Sequence, residues 1–197
     1  MGDGDPTLDE QVRKPEEHAS KAAGCDKVTV GVALAIPEPH ASVLAGWRRQ
    51  IGDPAADKIP VHVTLLPPTE FDADELHLVE KHLADAASAV LPFTMRLSGT
   101  GTFRPVSQVV FVQVSAGIAE CELLERAVRR EPINRNVAYP YHPHVTVGHD
   151  IDDRKLDEAF DGLRNFVAQF GIDRFTMYSQ DESGAWHTHR EFLLTGP

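Results

Sequence analysis

Val61-His62-Val63-Thr64-Leu65-Leu66 alternates polar and apolar side chains before meeting Pro67-Pro68, and the order His-Val-Thr-apolar returns at His144-Val145-Thr146-Val147. Alternation with period two is the pattern of a β-strand, whose successive side chains point to opposite faces. His62 and Thr64 therefore share one face of their strand, with Val61, Val63 and Leu65 on the other. His144 and Thr146 stand together in the same way, away from Val145 and Val147. Two such strands offer one imidazole and one hydroxyl each to a polar cleft, while branched apolar side chains hold them from behind.

Working outward, Val28–Ile36 reads as a strand with Val28, Val30, Val32, Leu34 and Ile36 on one face. A helix carrying Val43, Leu44, Trp47 and Ile51 precedes the first motif, whose strand is expected to stop at Pro67-Pro68. A longer helix from Ala73 to Val90 follows, with Asp72 as its N-cap, then strands Phe93–Leu97 and Val109–Val114 on either side of a turn-rich stretch. The order then recurs: a helix over Ile118–Arg130 with Leu123, Leu124, Ala127 and Val128, the second motif strand, and a helix over Asp153–Phe170. Strands Ile172–Ser179 and Trp186–Leu194 close the chain around the turn Gln180–Gly184. The expected fold is α+β and bilobal, a pseudo-twofold arrangement of two mostly antiparallel sheets backed by helices around a central cleft. Residues 1–27, with seven acids against four bases, read as a mobile acidic tail. Residues 28–197 read as one domain, with lobes near 28–115 and 116–197 and room for strand exchange between them.

Composition narrows the function. The 197 residues are 42% hydrophobic and 25% charged, which suits one folded domain and excludes wholesale disorder. Nineteen bases against 30 acids leave a net charge of −11, which opposes nonspecific binding of long nucleic acid. The expected partner is a small nucleotide or an RNA end. Cys25 and Cys121 are too far apart to suggest a disulfide framework or a zinc site, so a reducing, cytoplasmic setting is expected. No apolar run approaches the roughly 18 residues of a spanning helix, so no membrane contact is expected. The expected oligomeric state is a monomer.

Imidazole titrates near neutral pH, so a neutral histidine can take a proton from an attacking oxygen while a protonated one gives a proton to the leaving oxygen. The hydroxyls of Thr64 and Thr146 can donate to the non-bridging oxygens of a phosphoryl group. That set needs no metal for in-line attack on a phosphodiester, and no cofactor is expected. His142-Pro-His144, His149 and His187-Thr-His189 suggest a metal-dependent hydrolase as a competing reading, although spacing fixes no carboxylate or third ligand. A third reading is a noncatalytic module that binds nucleotides or RNA ends in the same cleft. His77 and His82 lie off the apolar stripe of their helix and read as solvated.

The paired motifs resemble the two-histidine phosphoesterases, and among them the 2'-5' RNA ligase and cyclic phosphodiesterase branch. The resemblance extends to Ser98-Gly-Thr-Gly-Thr-Phe103 with Val109–Val114, to Tyr141-His-Pro-His-Val-Thr146, and to Glu182-Ser-Gly-Ala-Trp186 with Glu191–Leu194. It implies His62 and His144 as catalytic residues, Thr64 and Thr146 as phosphate-binding residues, and a 2',3'-cyclic phosphate or 2'-5' linked RNA as substrate. Many relatives place an arginine shortly after the second motif, where this chain has Gly148-His149-Asp150. Arg104 or Arg135 is then the candidate phosphate-binding base, and Phe103, Tyr139 and Tyr141 are candidates for stacking on a nucleobase.

Overall fold

The computed structural model describes residues 26–133 and 139–196. The acidic tail, apart from its last two residues, and Arg135 lie outside the described residues. The chain order is β1 (Lys27–Ala35), α1 (His40–Gln50), β2 (His62–Asp72), α2 (Leu76–Ala87), β3 (Phe93–Thr102), β4 (Val109–Ala116), α3 (Ile118–Val128), β5 (His144–His149), α4 (Asp153–Leu163), β6 (Val167–Ile172), β7 (Arg174–Gln180) and β8 (Trp186–Leu193). A single 3-10 turn, Ala73–Glu75, leads into α2.

All strand pairings are antiparallel, in the order β6-β3-β4-β5-β2-β1-β7-β8. The two halves of this curled sheet meet at β2 and β5, which share one register pair, Val63 with Val145. One half draws on both ends of the chain, with β7 and β8 extending β1 and β2, while the other is built from the middle of the chain, β3 to β6, so the halves do not divide near residue 115 as the sequence suggested. The α+β, two-halved architecture matches the expectation, with the halves fused into one sheet.

Helices α1 and α4 lie against the β3-β4-β5 half, whereas α2 and α3 pack on each other and against β8 and β2. One apolar core runs beneath both halves, with Val63, Val145, Val147, Leu83, Leu124, Leu156 and Phe175 among its fully buried members. Burying those side chains, at about 1.5–3 kcal/mol each, makes the floor beneath the motif strands rigid.

Several elements depart from the sequence expectation. β2 continues through Pro67-Pro68 to Asp72, because the prolines fall between Leu66 and Thr69, where the register against β1 shifts and the ladder needs no N–H from them. The turn-rich stretch after Leu97 is still strand, with a bulge between Leu97 and Thr100 that uses Gly99 at φ +70°. The helix expected to reach Phe170 ends at Leu163, and Val167–Ile172 pairs instead along β3. In β6 it is Ala168, Phe170 and Ile172, at period two, that turn inward, while Val167 is exposed, so pairing with β3 overrode the helical spacing. Asp72 makes no side-chain cap; its carboxylate meets Lys27 at 2.5 Å. Val43 and Leu123 are exposed, and Cys121 takes the buried place on α3. His82 is half-buried and donates to the Val128 carbonyl at the end of α3 (2.9 Å).

Candidate active site

Continuing the antiparallel register from Val63 and Val145 sets Thr64 across from His144, and His62 across from Thr146. The four polar side chains therefore form a quartet on one face of the sheet, in neighbouring strands. All four are half-buried, while Val63, Val145 and Val147 behind them are inaccessible.

Both imidazoles are oriented by main-chain carbonyls. His62 Nδ1 lies 2.7 Å from the Pro60 oxygen, and His144 Nδ1 lies 2.6 Å from the His142 oxygen. A carbonyl only accepts, so each Nδ1 carries a proton, and the neutral ring keeps its lone pair on Nε2. His62 Nε2 accepts from the Thr64 hydroxyl at 3.1 Å. Burial drives the His62 pKa down to about 4; the Pro60 bond opposes this, and the charges of Arg48 and His144 add to the lowering. Burial also lowers His144, against its bond to His142.

Aromatic rings hold both imidazoles. Trp186 stacks on His62 with centroids 4.9 Å apart, and Phe103 and Phe111 each approach His144 at 5.0 Å. The indole passes over Gly31, where a Cβ would come within 2.7 Å of it. Beneath His62, the buried pair Arg48–Asp53 (2.7 Å) anchors the segment before β2: Arg48 donates to the Ile59 carbonyl, and Asp53 accepts from the Ala55 N–H.

β2 and β5 separate beyond Thr64 and His144, and a cavity of about 560 Å³ opens there. Thr64 and His144 line one end, Phe103, Tyr139 and Tyr141 contribute walls, and Glu125 and Arg129 of α3 also line it. The volume suits a nucleoside-sized ligand. Of the residues expected to bind substrate, Phe103 lines the cavity, and Tyr141 lines it while its hydroxyl donates to the Thr64 carbonyl (3.0 Å). Arg104 turns away, to Asp157 (2.7 Å) and Asp153 (3.5 Å) on α4. His187, His189 and His149 face Asp181, Glu80 and Asp150 respectively, and among the described residues no three potential ligands gather around a metal-sized space.

The sequence reading gave no role to Trp186, Glu125 or Arg129. For the last two a signal exists: Glu125 lies one turn beyond Cys121 on a buried stripe, and Arg129 stands four residues on.

The comparisons agree with this arrangement. Residues 36–184 match the family model of the 2'-5' RNA ligase superfamily. A Halalkalibacterium halodurans protein named as a phosphoesterase is 32% identical over 166 residues, covering 83% of this chain and 96% of that one. A Bacillus mycoides protein of the same description is 30% identical over 152 residues, covering 76% and 88%. Among solved structures, Escherichia coli LigT with 3'-AMP superposes with a TM-score of 0.62 at 20% identity, covering 86% of this chain and 99% of LigT. A Thermus thermophilus protein gives 0.54 at 21% identity, with 85% and 98% covered. The fold and the paired motifs define a two-histidine phosphoesterase. The chain belongs to the 2'-5' RNA ligase superfamily.

Proposed function

We propose that this protein is a metal-independent phosphodiesterase that hydrolyses 2',3'-cyclic phosphates or 2'-5' linked nucleotides, and that ligation of RNA ends through a 2'-5' bond is the same in-line attack on a cyclic phosphate with a ribose hydroxyl in place of water. The observation that carries the reading is the quartet itself: both Nδ1 protons are committed to carbonyls, so both Nε2 atoms lie on the face shared with two hydroxyls, and His62 Nε2 is freed when the Thr64 hydroxyl turns from it to a phosphate oxygen. His62, held at the lower pKa, is the general base, and His144 is the general acid.

For a cyclic phosphate, His62 Nε2 takes a proton as the water oxygen bonds to phosphorus. The bond from phosphorus to one ribose oxygen breaks, and His144 Nε2–H protonates that oxygen, giving a nucleoside monophosphate. Thr64 and Thr146 donate to the non-bridging oxygens, where charge accumulates. With acid, base and neutral donors supplied by side chains, the reaction needs no Lewis acid. LigT has been crystallised with 3'-AMP, NADP+, ATP and phosphate, ligands of the class that this cleft would take.

The test is turnover of the four nucleoside 2',3'-cyclic phosphates and of 2'-5' linked dinucleotides, with and without EDTA, by wild type, His62→Ala and His144→Ala. Each substitution is expected to cost on the order of 10²- to 10⁴-fold, with losses that do not add, and EDTA to have no effect. Near-normal turnover by either folded variant removes the mechanism. Activity lost in EDTA and restored by zinc or magnesium makes the protein a metallohydrolase, and nucleotide binding without turnover makes it a binding module.

A further inference from the structure

Resting on the reading that the reacting phosphate lies at the quartet, we propose that His142 holds the phosphate one linkage away from it. The site would then prefer a nucleotide phosphorylated on O5' as well, which is the state of the last nucleotide of an RNA end. His142 precedes the second motif and lines the cavity together with His144. The centroids of the two imidazoles are 6.1 Å apart, with 21° between the ring planes. Alternate residues on one face of an extended chain stand roughly 6–7 Å apart, so the two rings form a short ladder. Phe111 and Phe103 meet the His142 ring edge-on, with centroids at 5.5 and 5.9 Å, and hold it beside His144.

Charge points to the same residue. Of the cavity-lining side chains that can carry positive charge, Arg129 is paired with Glu125 and His144 serves the reaction, which leaves His142. Arg104, next to Phe103 in the chain, is held by Asp153 and Asp157. The His142 carbonyl accepts from His144 Nδ1, whereas among the described residues no group bonds to the ring nitrogens of His142, and its side chain is exposed. An imidazole donates at least one N–H in either protonation state, and a bound anion favours the charged ring. On a chain with a net charge of −11, a local donor of this kind matters for an anionic ligand.

The covalent structure of a nucleotide suits the pair. A ribose that carries the reacting phosphate on its 2' and 3' oxygens carries the next one on O5', at the opposite side of the sugar. The sugar therefore spans a distance like that between the two rings. With both phosphates engaged, the base is left to the apolar walls formed by Phe103, Tyr139 and Tyr141. A hydrogen bond to an ionised phosphate is worth roughly 10- to 100-fold in affinity.

Calorimetric titration of the full-length protein with adenosine 3'-monophosphate and adenosine 3',5'-bisphosphate measures the contact without turnover. Wild type should bind the bisphosphate at least about tenfold more tightly. His142→Ala, checked for folding by thermal melting, should lose that gain, and His142→Lys, which restores a cation, should recover part of it. Histidine ring signals followed by NMR need no variant: the bisphosphate should shift the His142 ring, and the monophosphate should shift it much less. Equal affinity of wild type for the two ligands overturns the proposal, as does a preference that survives in folded His142→Ala. A His142 signal unmoved by bound bisphosphate overturns it too. Hydrolysis of adenosine 2',3'-cyclic phosphate without any preference for the bisphosphate overturns this contact and leaves the phosphodiesterase reading intact. A His142-dependent preference without turnover of any cyclic phosphate supports the contact and removes the catalytic reading.

Discussion

The indole of Trp186, on β8 at the far edge of the sheet, lies stacked on the imidazole of His62 on β2, with 30° between the ring planes. It reaches that position across β1 and β7, over a glycine that leaves room for it. The contact shields one face of His62 from water, and burial is the main reason that its pKa falls.

Trp186→Ala should therefore raise the His62 pKa from about 4 toward its ordinary value near 6.5. Gly31→Ala, by pushing the indole aside, should do the same while keeping the ring in the molecule. Histidine titration followed by NMR is the measurement. An unmoved His62 resonance in both variants would show that Trp186 has no part in setting this pKa.

The same pKa shifts set the pH profile. Activity requires His62 neutral and His144 protonated, so kcat/KM should fall below about pH 4 and again above the lowered pKa of His144. The optimum for the free enzyme lies below pH 6.5. Bound phosphate favours both protonated forms, so the kcat optimum at saturating substrate should move upward. Residual activity of His62→Ala should lack the acid limb, and that of His144→Ala the alkaline one. A free-enzyme optimum above pH 7 would contradict the assignment of His62 as base and His144 as acid with lowered pKa values.

Thr64 and Thr146 occupy equivalent places in the quartet, yet only Thr64 donates to a histidine, among the described residues. Thr64→Val should consequently lower kcat/KM more than Thr146→Val, since it removes a phosphate donor and frees the His62 ring. A donor lost at such a site costs about 2.7–4 kcal/mol, or roughly 10²- to 10³-fold. Equal losses would show that the bond to His62 contributes nothing.

Asp53→Ala would leave Arg48 charged and buried, and breaking such a pair costs about 3–5 kcal/mol. Urea unfolding should show that loss, and Arg48→Met combined with Asp53→Ala should recover part of it. Activity of the single variant should drop as well, because the segment held by the pair supplies the Pro60 carbonyl to His62.

Much of this was legible in the sequence. The period-two alternation around His62 and His144 placed each histidine beside its threonine, and apolar spacing located all four main helices. Other features were not legible, each for a physical reason. The route of β2 through two prolines depends on a bulge against β1, which a local pattern cannot show. The choice between helix and strand after Leu163 rests on an edge of β3 that is distant in sequence. Arg104 was a reasonable phosphate ligand by its neighbours, yet two acids on α4 hold its guanidinium. Trp186 and Glu125 gain their positions through tertiary contact, and only the charge on a buried helical stripe marked the second.

The interleaving of strands bears on how the molecule comes into being. The half of the sheet that carries His62 is finished by β7 and β8, the last strands to be synthesised. During translation, β1 has no partner on its outer edge until the C-terminal hairpin emerges, and the early chain must wait with that edge open. Such long-range closure slows folding, and it also means that no shortened chain could carry half of the reaction. A nascent polypeptide released before Arg174 would hold both motifs, yet His62 would lack the indole that covers it. Competence for catalysis thus arrives all at once, with the final hairpin.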